Sequence, residues 1–497
     1  MNRCRSADLP CFGLSVSGQK SHIEIQPALR MRQQYKCQVQ GSFHTVIVNR
    51  ITRTASLAIA AAVLTATGPA VASKKKEREA AARAAEAINP RLAEFAQGAA
   101  VHAYYRRYRG PDWFKDDGAA TARLATLLRR AQLEGFMQGP ILAGEVERAA
   151  QAAKSGDAAA RTATEQLLSV IWVTYLESIQ RPSADVISGY PSLVRQPSPP
   201  EKMIGTAAAA PSLVQHLDEA SAVNPMYSQL REAAWIQLAG TPGAVPDRRI
   251  MLNLDRLRSL PRTERFALVN VATQTLTMYE DNQPVDSMKV VVGTDELPTP
   301  MISSVIYYAT FNPFWNVPDH LVRETVAPAV LRGGVSYLTA RGYQVMSDWS
   351  ANATPIAPTS IDWAAVASSK TRIRVRQNPG PTNSMGKLKF SFENGEGIFL
   401  HDTPTREYFG RSQRALSNGC VRLEDARRFG RWLLKRDPVP PSSEPEQFVQ
   451  LPVGVPVYIT YLTATENSGK IAFANDIYGW DAGGKFKPLG AAASAAR

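Results

Sequence analysis

Residues 414–425 read RALSNGCVRLED, which sets Cys420 directly after Gly419 and two positions before Arg422. A thiol of ordinary acidity is only a few per cent ionised near neutral pH, so a nucleophilic role requires a base. His401 is the candidate. It lies 19 residues upstream, at the end of the strand-like run GIFLHD, and the loop DTPTREYFGRSQRAL returns the chain to the cysteine. Loops carried on a rigid frame are a common seat of catalytic groups. Gly419 allows a sharp bend, so that amides of the turn converge on one point and stabilise a tetrahedral oxyanion. The following LEDARRFGRWLLKR has helical periodicity, and a helix starting near Cys420 would pull the thiol pKa down through its dipole. Arg422 supplies a cation beside the thiol that can hold a substrate carboxylate. A lone cysteine is more often an inert small hydrophobe, and a lone histidine a surface or core residue. The combination points instead to nucleophilic catalysis at Cys420.

The compartment sharpens this reading. Arg50 to Ala72, RITRTASLAIAAAVLTATGPAVA, has a basic start, a short apolar stretch and a small-residue cleavage site, the pattern of a secretory signal peptide over residues 48–72. Its apolar core is too short for a stable membrane span, and Gly68-Pro69 breaks it. Residues 1–47 have no domain-like periodicity and read as non-native upstream or unstructured sequence, with Val48 as an alternative start. Trimming residues 1–72 removes Cys4, Cys11 and Cys37 and leaves Cys420 as the one cysteine of an exported chain. An oxidising compartment favours paired cysteines, so this lone thiol needs a functional reason. The trimmed chain keeps 49 basic and 42 acidic residues, a net charge of +7 against +13 for the whole sequence. That balance suits an anionic polymer such as a cell wall, and equally plain solubility. There is no arginine-rich stripe with interleaved aromatics, which excludes a nucleic-acid reader. One cysteine with scattered His102, His216 and His320 makes no zinc site, and no cofactor is implied.

The elements that must position Cys420 and His401 fall in two regions of the 497 residues. Residues 73–246 are alanine-rich and predict helices: KKKEREAAARAAEAI, ATARLATLLRRAQLEGF and TATEQLLSVIWVTYLESI, then PSLVQHLDEAS and PMYSQLREAAWIQL. The proline- and serine-rich stretch 181–211 reads as a long irregular connection. From about residue 262 the texture turns to short alternating runs, RFALVNVA, TLTMYE, DSMKVVVG, SSVIYYATFN, RIRVRQ, KLKFSF, GIFLHD and VPVYITYLT, each a predicted strand. Residues 318–369 interrupt them with a helical insert, long enough to be a lid. The tail 483–497 reads as disordered. The fold class is thus α+β and multidomain, a helical scaffold followed by a β-rich domain over residues 247–482 with a helical lid insert.

The stretch GIFLHDTPTREYFGRSQRALSNGCVRLEDA, with VVGTDELPTP, FNPFWNVPDHLV, IDW, RQNPGPTNSMGKLKF, VYITYLTA and DIYGWD in order around it, resembles the L,D-transpeptidase family of peptidoglycan-crosslinking cysteine enzymes. Within it the chain is similar to the large periplasmic type. The resemblance implies that Cys420 attacks a peptide carbonyl with His401 as base, that the main-chain carbonyl of Asp402 orients His401, and that Gly419 belongs to the oxyanion turn. It implies substrate contacts at Ser417, Asn418, Arg422 and Tyr408, with Asn312 and Trp315 lining the site. Asn418 departs from the family's Ser-His-Gly-Cys. Only the short LAGTPGAVPDRR stands where large members carry a peptidoglycan-binding module. The implied partners are donor and acceptor peptidoglycan stem peptides, accessory cell-wall enzymes, and a carbapenem as covalent inhibitor, in the periplasm or cell wall. The implied reaction joins a tetrapeptide stem, less its terminal D-alanine, to a diaminopimelate amine. An L,D-carboxypeptidase, an enzyme anchoring an outer-membrane protein, and an inactive wall-binding scaffold are the alternatives.

Overall fold

The structure is a computed structural model that describes residues 90–193, 195–241, 244–260 and 264–482. The upstream segment, the expected signal peptide, the first expected alanine-rich helix and the tail 483–497 lie outside these residues. The helical part comprises α1 (Gly98–Tyr105), α2 (Ala119–Arg130), α3 (Gly139–Ala153), α4 (Ala158–Gln180), α5 (Pro200–Ala209), α6 (Leu213–Ser221), α7 (Pro225–Ala239) and α8 (Arg248–Leu257). The longest, α4, starts where the Asp157 carboxylate accepts the Ala160 amide at 2.8 Å and ends where Pro182 forbids a further helical residue before it. Its Leu168, Ile171, Trp172, Tyr175 and Ile179 form the centre of the helical core. Two sequence expectations change here. Residues 181–211 are not wholly irregular: Pro200 at the first helical position nucleates α5, and Ile187–Ser188 pairs as β1 with a strand of the β-rich part. The stretch GPILAGEVERAAQAA, unassigned in sequence, is α3.

A buried carboxylate ties the helices together. Glu134 is fully buried and accepts from Tyr175 Oη at 2.8 Å, Tyr227 Oη at 3.0 Å and Arg231 Nη1 at 2.9 Å. Its carbonyl oxygen receives Arg258 from the end of α8.

The β-rich part holds β2 (Phe266–Asn270), β3 (Thr275–Glu280), β4 (Gln283–Gly293), β5 (Ile302–Phe311), β10 (Leu388–Phe392), β11 (Leu400–His401), β12 (Ala415–Ser417), β13 (Val421–Leu423) and β14 (Gln447–Thr460), with β6–β9 in the insert described below. Their order is β5-β10-β11-β13-β4-β3-β2-β14, and β14 returns to β5, so the sheet closes on itself. Val457, Tyr458 and Ile459 pair with Ala267, Leu268 and Val269 on one side and with Ser304, Ser303 and Ile302 on the other. Alternation decides which side chains fill the interior: Leu388 and Phe390, Leu400, Val421 and Leu423, and Val449 face in. Phe266, Leu268, Tyr458 and Leu462 face out and complete the helical core, as do Ile250, Leu254 and Leu257 of α8. Helix α12 (Ala426–Leu434), capped by Asp425, buries Phe429 and Leu433 against the sheet; α9–α11 belong to the insert.

The insert between β5 and β10 is more than helical. It carries β6 (Trp315–Asn316), α9 (Ala327–Gly333), α10 (Ser336–Ala340), β7 (Tyr343–Met346), β8 (Pro355–Ile356), α11 (Trp363–Ala367) and β9 (Arg374–Gln377), with a four-stranded sheet in the order β6-β9-β7-β8. Its own core includes Val326, Val330, Leu338, Val345, Trp363 and Val375. The run RIRVRQ therefore belongs to the insert and not to the closed sheet. Among the described residues, no helix is long and apolar enough to cross a membrane.

Candidate active site

β11 and β13 are short, parallel neighbours in which Leu400 pairs with Val421 and His401 with Arg422. Since Leu400, Val421 and Leu423 point into the core, Cys420, Arg422, Phe399 and His401 point outward together. β10 extends the row, with Lys389 opposite His401. Lys389, His401 and Arg422 thus stand side by side on three adjacent strands, with Cys420 one step along the same face.

His401 is buried, and its Nδ1 lies 2.5 Å from the Asp402 carbonyl oxygen. A carbonyl only accepts, so Nδ1 carries the proton and Nε2 keeps the lone pair of a base. Burial, then the Arg422 guanidinium, hold the ring's pKa down to about 3, with Lys389 adding to the effect and the Asp402 and Met385 carbonyls opposing it. The Asp402 carboxylate is engaged elsewhere, by Arg406 at 3.0 Å and the Lys387 amide at 2.9 Å.

Burial pushes the Cys420 thiol above its ordinary pKa, against the pull of the Phe399 amide, Arg422 and Lys389. Sγ lies 3.8 Å from the Gly397 carbonyl oxygen, and among the described residues no hydrogen bond joins it to the His401 ring. The helix expected at Cys420 is absent there: residues 421–423 continue as β13, and α12 starts at Ala426, too far along to bring its dipole to the sulfur. The resting pair is therefore a neutral thiol beside a neutral imidazole.

The turn before Cys420 is braced from several sides. Ser417 Oγ donates to the Cys420 carbonyl at 2.6 Å. Gly419 has φ of 104°, a left-handed value, and a Cβ there would come within 3.1 Å of Ile398 Cδ1. The backbone N–H groups of Gly419 and Cys420 make no hydrogen bond among the described residues, which leaves two donors for an oxyanion. Thr299 Oγ1 donates to the Gly419 carbonyl at 2.7 Å and accepts the Gly293 amide at 2.8 Å, while Tyr478 Oη donates to the Gly293 carbonyl at 2.6 Å. Thr299 and Tyr478 sit within VVGTDELPTP and DIYGWD, yet nothing in those runs announces that they buttress the turn. Arg414, also unannounced, anchors the preceding loop through Val290, Gln274 and Arg411 carbonyls.

The remaining sequence candidates fall at varied places. Asn418 is exposed at the tip of the turn. Tyr408 lies between Arg422 and Arg411, whose guanidinium carbons are 5.6 and 5.3 Å from its ring centre. Asn312 closes the end of β5, its side-chain amide given to the Ser443 and Glu444 carbonyls. Trp315 is in β6, 6.3 Å from the Tyr343 ring within the insert. Cavities of about 470 Å³ at Arg248, Arg249 and Asp476, and of about 280 Å³ at Met226, Phe266 and Tyr279, are lined by other residues. Among the described residues no group of three His, Cys, Asp or Glu could hold a metal ion.

Residues 264–440 match the model of the YkuD family, an L,D-transpeptidase catalytic domain, and residues 99–233 match that of the Scaffold domain. The helical part is thus similar to the Scaffold domain and the β-rich part to the L,D-transpeptidase catalytic domain. A Haemophilus influenzae protein that bears a provisional L,D-transpeptidase name is 29% identical over 276 residues, 54% of this chain and 55% of that protein. The chain therefore spans about half the length of the curated relative it matches. An L,D-transpeptidase from Mycobacterium smegmatis aligns over 39% of this chain and 58% of its own, at 13% identity and a TM-score of 0.20. An Enterococcus faecium L,D-transpeptidase variant aligns over 40% and 52%, at 10% identity and a TM-score of 0.21.

Proposed function

We propose that the protein is an exported L,D-transpeptidase that crosslinks peptidoglycan stems through Cys420. The observation that carries this reading is that His401 of β11 and Cys420, the residue just before β13, face outward together, with the His401 tautomer set by the Asp402 carbonyl. His401 Nε2 takes the thiol proton as sulfur bonds to the carbonyl carbon of the third residue of a donor tetrapeptide. The oxyanion is received by the Gly419 and Cys420 amides. The carbon–nitrogen bond to the terminal D-alanine then breaks, and the imidazolium proton goes to the leaving amine. A diaminopimelate side-chain amine attacks the thioester, gives its proton to His401 and releases the thiolate, which is reprotonated. The neutral ring leaves Nε2 free to accept the thiol proton, and because a base works best with a pKa near the working pH, the attraction of the forming thiolate for the imidazolium has to lift the depressed value during the transfer. Arg422 and Lys389 offer cations for stem carboxylates. A carbapenem would acylate the same sulfur.

Intact-protein mass spectrometry of wild type and Cys420→Ala, after incubation with tetrapeptide muropeptides and separately with a carbapenem, tests the reading. Adducts on wild type alone, with free D-alanine and a crosslinked dimer, are expected. D-Alanine without dimer would replace transfer to an amine by transfer to water. No adduct on folded protein would end the assignment.

A further inference from the structure

The outward face that holds Cys420 and His401 does not stop at β10. Thr310 of β5 pairs with Lys389, and Phe448 of β14 pairs with Thr310, so one row runs Phe448, Thr310, Lys389, His401, Arg422 across five strands. Tyr308, two residues before Thr310, lies on the same face and packs edge-on against Phe448, with ring centres 5.5 Å apart and planes at 77°. Phe448 is 60% exposed and Tyr308 36%. Large aromatics left open in a pair are unusual on a soluble surface and mark a contact site. Between Phe448 and Lys389 in this row, Thr310 is fully buried, with a hydroxyl that makes no hydrogen bond among the described residues.

Strands lie about 4.8 Å apart, so Tyr308 is roughly 14 Å from Cys420, three strand steps along the sheet. A donor stem attacked at its third residue has three residues between the reacting carbonyl and the sugar that bears it. Extended, they reach about 10–11 Å, and the lactyl link that joins them to the sugar covers most of the remainder. We propose that Tyr308 and Phe448 form a platform for the amino sugar of the glycan strand whose stem occupies Cys420. The carbon–hydrogen face of a pyranose ring packs on the electron-rich face of an aromatic ring, and the tyrosine hydroxyl adds a polar partner for sugar hydroxyls. The platform does within the catalytic sheet what a separate wall-binding module would do.

This inference rests on the acyl-transfer reading, so its test compares two donors that differ only in the sugar. Wild-type protein should use a disaccharide-linked tetrapeptide with kcat/KM about tenfold above that of the free tetrapeptide. In the pair Tyr308→Ser and Phe448→Ser this preference should fall to near one, and Tyr308→Trp with Phe448→Trp should restore it. A wild type without preference, or a serine pair that retains it, would overturn the platform. If wild type turned over neither donor, the reaction would be lost but the platform would still be decided by calorimetry with Cys420→Ala protein. Binding of the disaccharide tetrapeptide that weakens at least fivefold in the serine pair supports it, and no binding or unchanged binding overturns it.

Discussion

Replacing Arg422 by methionine removes a cation that stands two strand residues from Cys420 while leaving the β11–β13 pairing to the backbone. Two residues along a strand is about 6.6 Å. At an effective dielectric constant near 20 a unit charge at that distance is worth about 2 kcal/mol after allowing for partial solvent access. The thiolate population below the thiol's midpoint should then drop about 30-fold. A less acidic thiol is a stronger nucleophile once ionised, which returns about fivefold of that loss. Alkylation of Cys420 by iodoacetamide at pH 8, followed by intact mass, should therefore slow about sixfold, and its pH–rate curve should move to higher pH. The same substitution should raise the His401 pKa, because Arg422 is the largest charge opposing the imidazolium. An alkylation curve that superposes on wild type, in a variant with unchanged thermal midpoint, would refute the electrostatic role assigned to Arg422.

The kcat/KM profile should show no acid limb near the ordinary histidine pKa. Activity falls only as pH drops toward about 3, where the ring protonates and ceases to be a base, so rates at pH 5 and 7 should agree within about twofold in a stopped assay. Gly419→Ala should cost about 1–2 kcal/mol in a urea titration, through its left-handed φ and the contact with Ile398, and should lower kcat at least tenfold as the turn amides shift. Glu134→Ala should destabilise the protein by about 3–5 kcal/mol in the same titration, because it leaves the Arg231 charge and two tyrosine hydroxyls buried without their acceptor.

Much of the closed sheet was legible in sequence because its strands alternate: TLTMYE and KLKFSF become β3 and β10 almost residue for residue. Of the insert's strands β9 was legible, within RIRVRQ, but β7 and β8 were not, since they are held by pairing with each other and with β9 rather than by any local pattern. Cys420 and His401 could be found because each is marked by its own neighbours. Lys389 could not, because its place beside His401 is a matter of register between β10 and β11, and register is set by the whole core. The sign of the thiol's shift was also hidden. Local sequence shows an arginine and a nearby helix, whereas burial, the larger effect, comes from distant chain.

The outward side chains Phe266, Leu268, Tyr458 and Leu462, shared with the helices, carry a consequence for how the molecule comes apart. With Arg258 hooked to the carbonyl of Glu134, neither half has a finished surface of its own. Cutting the chain near residue 244 would bare an oily strip on each piece and invite aggregation. Heating should melt helices and sheet in one cooperative event, with the thiol losing its protection at the same temperature as the helical core.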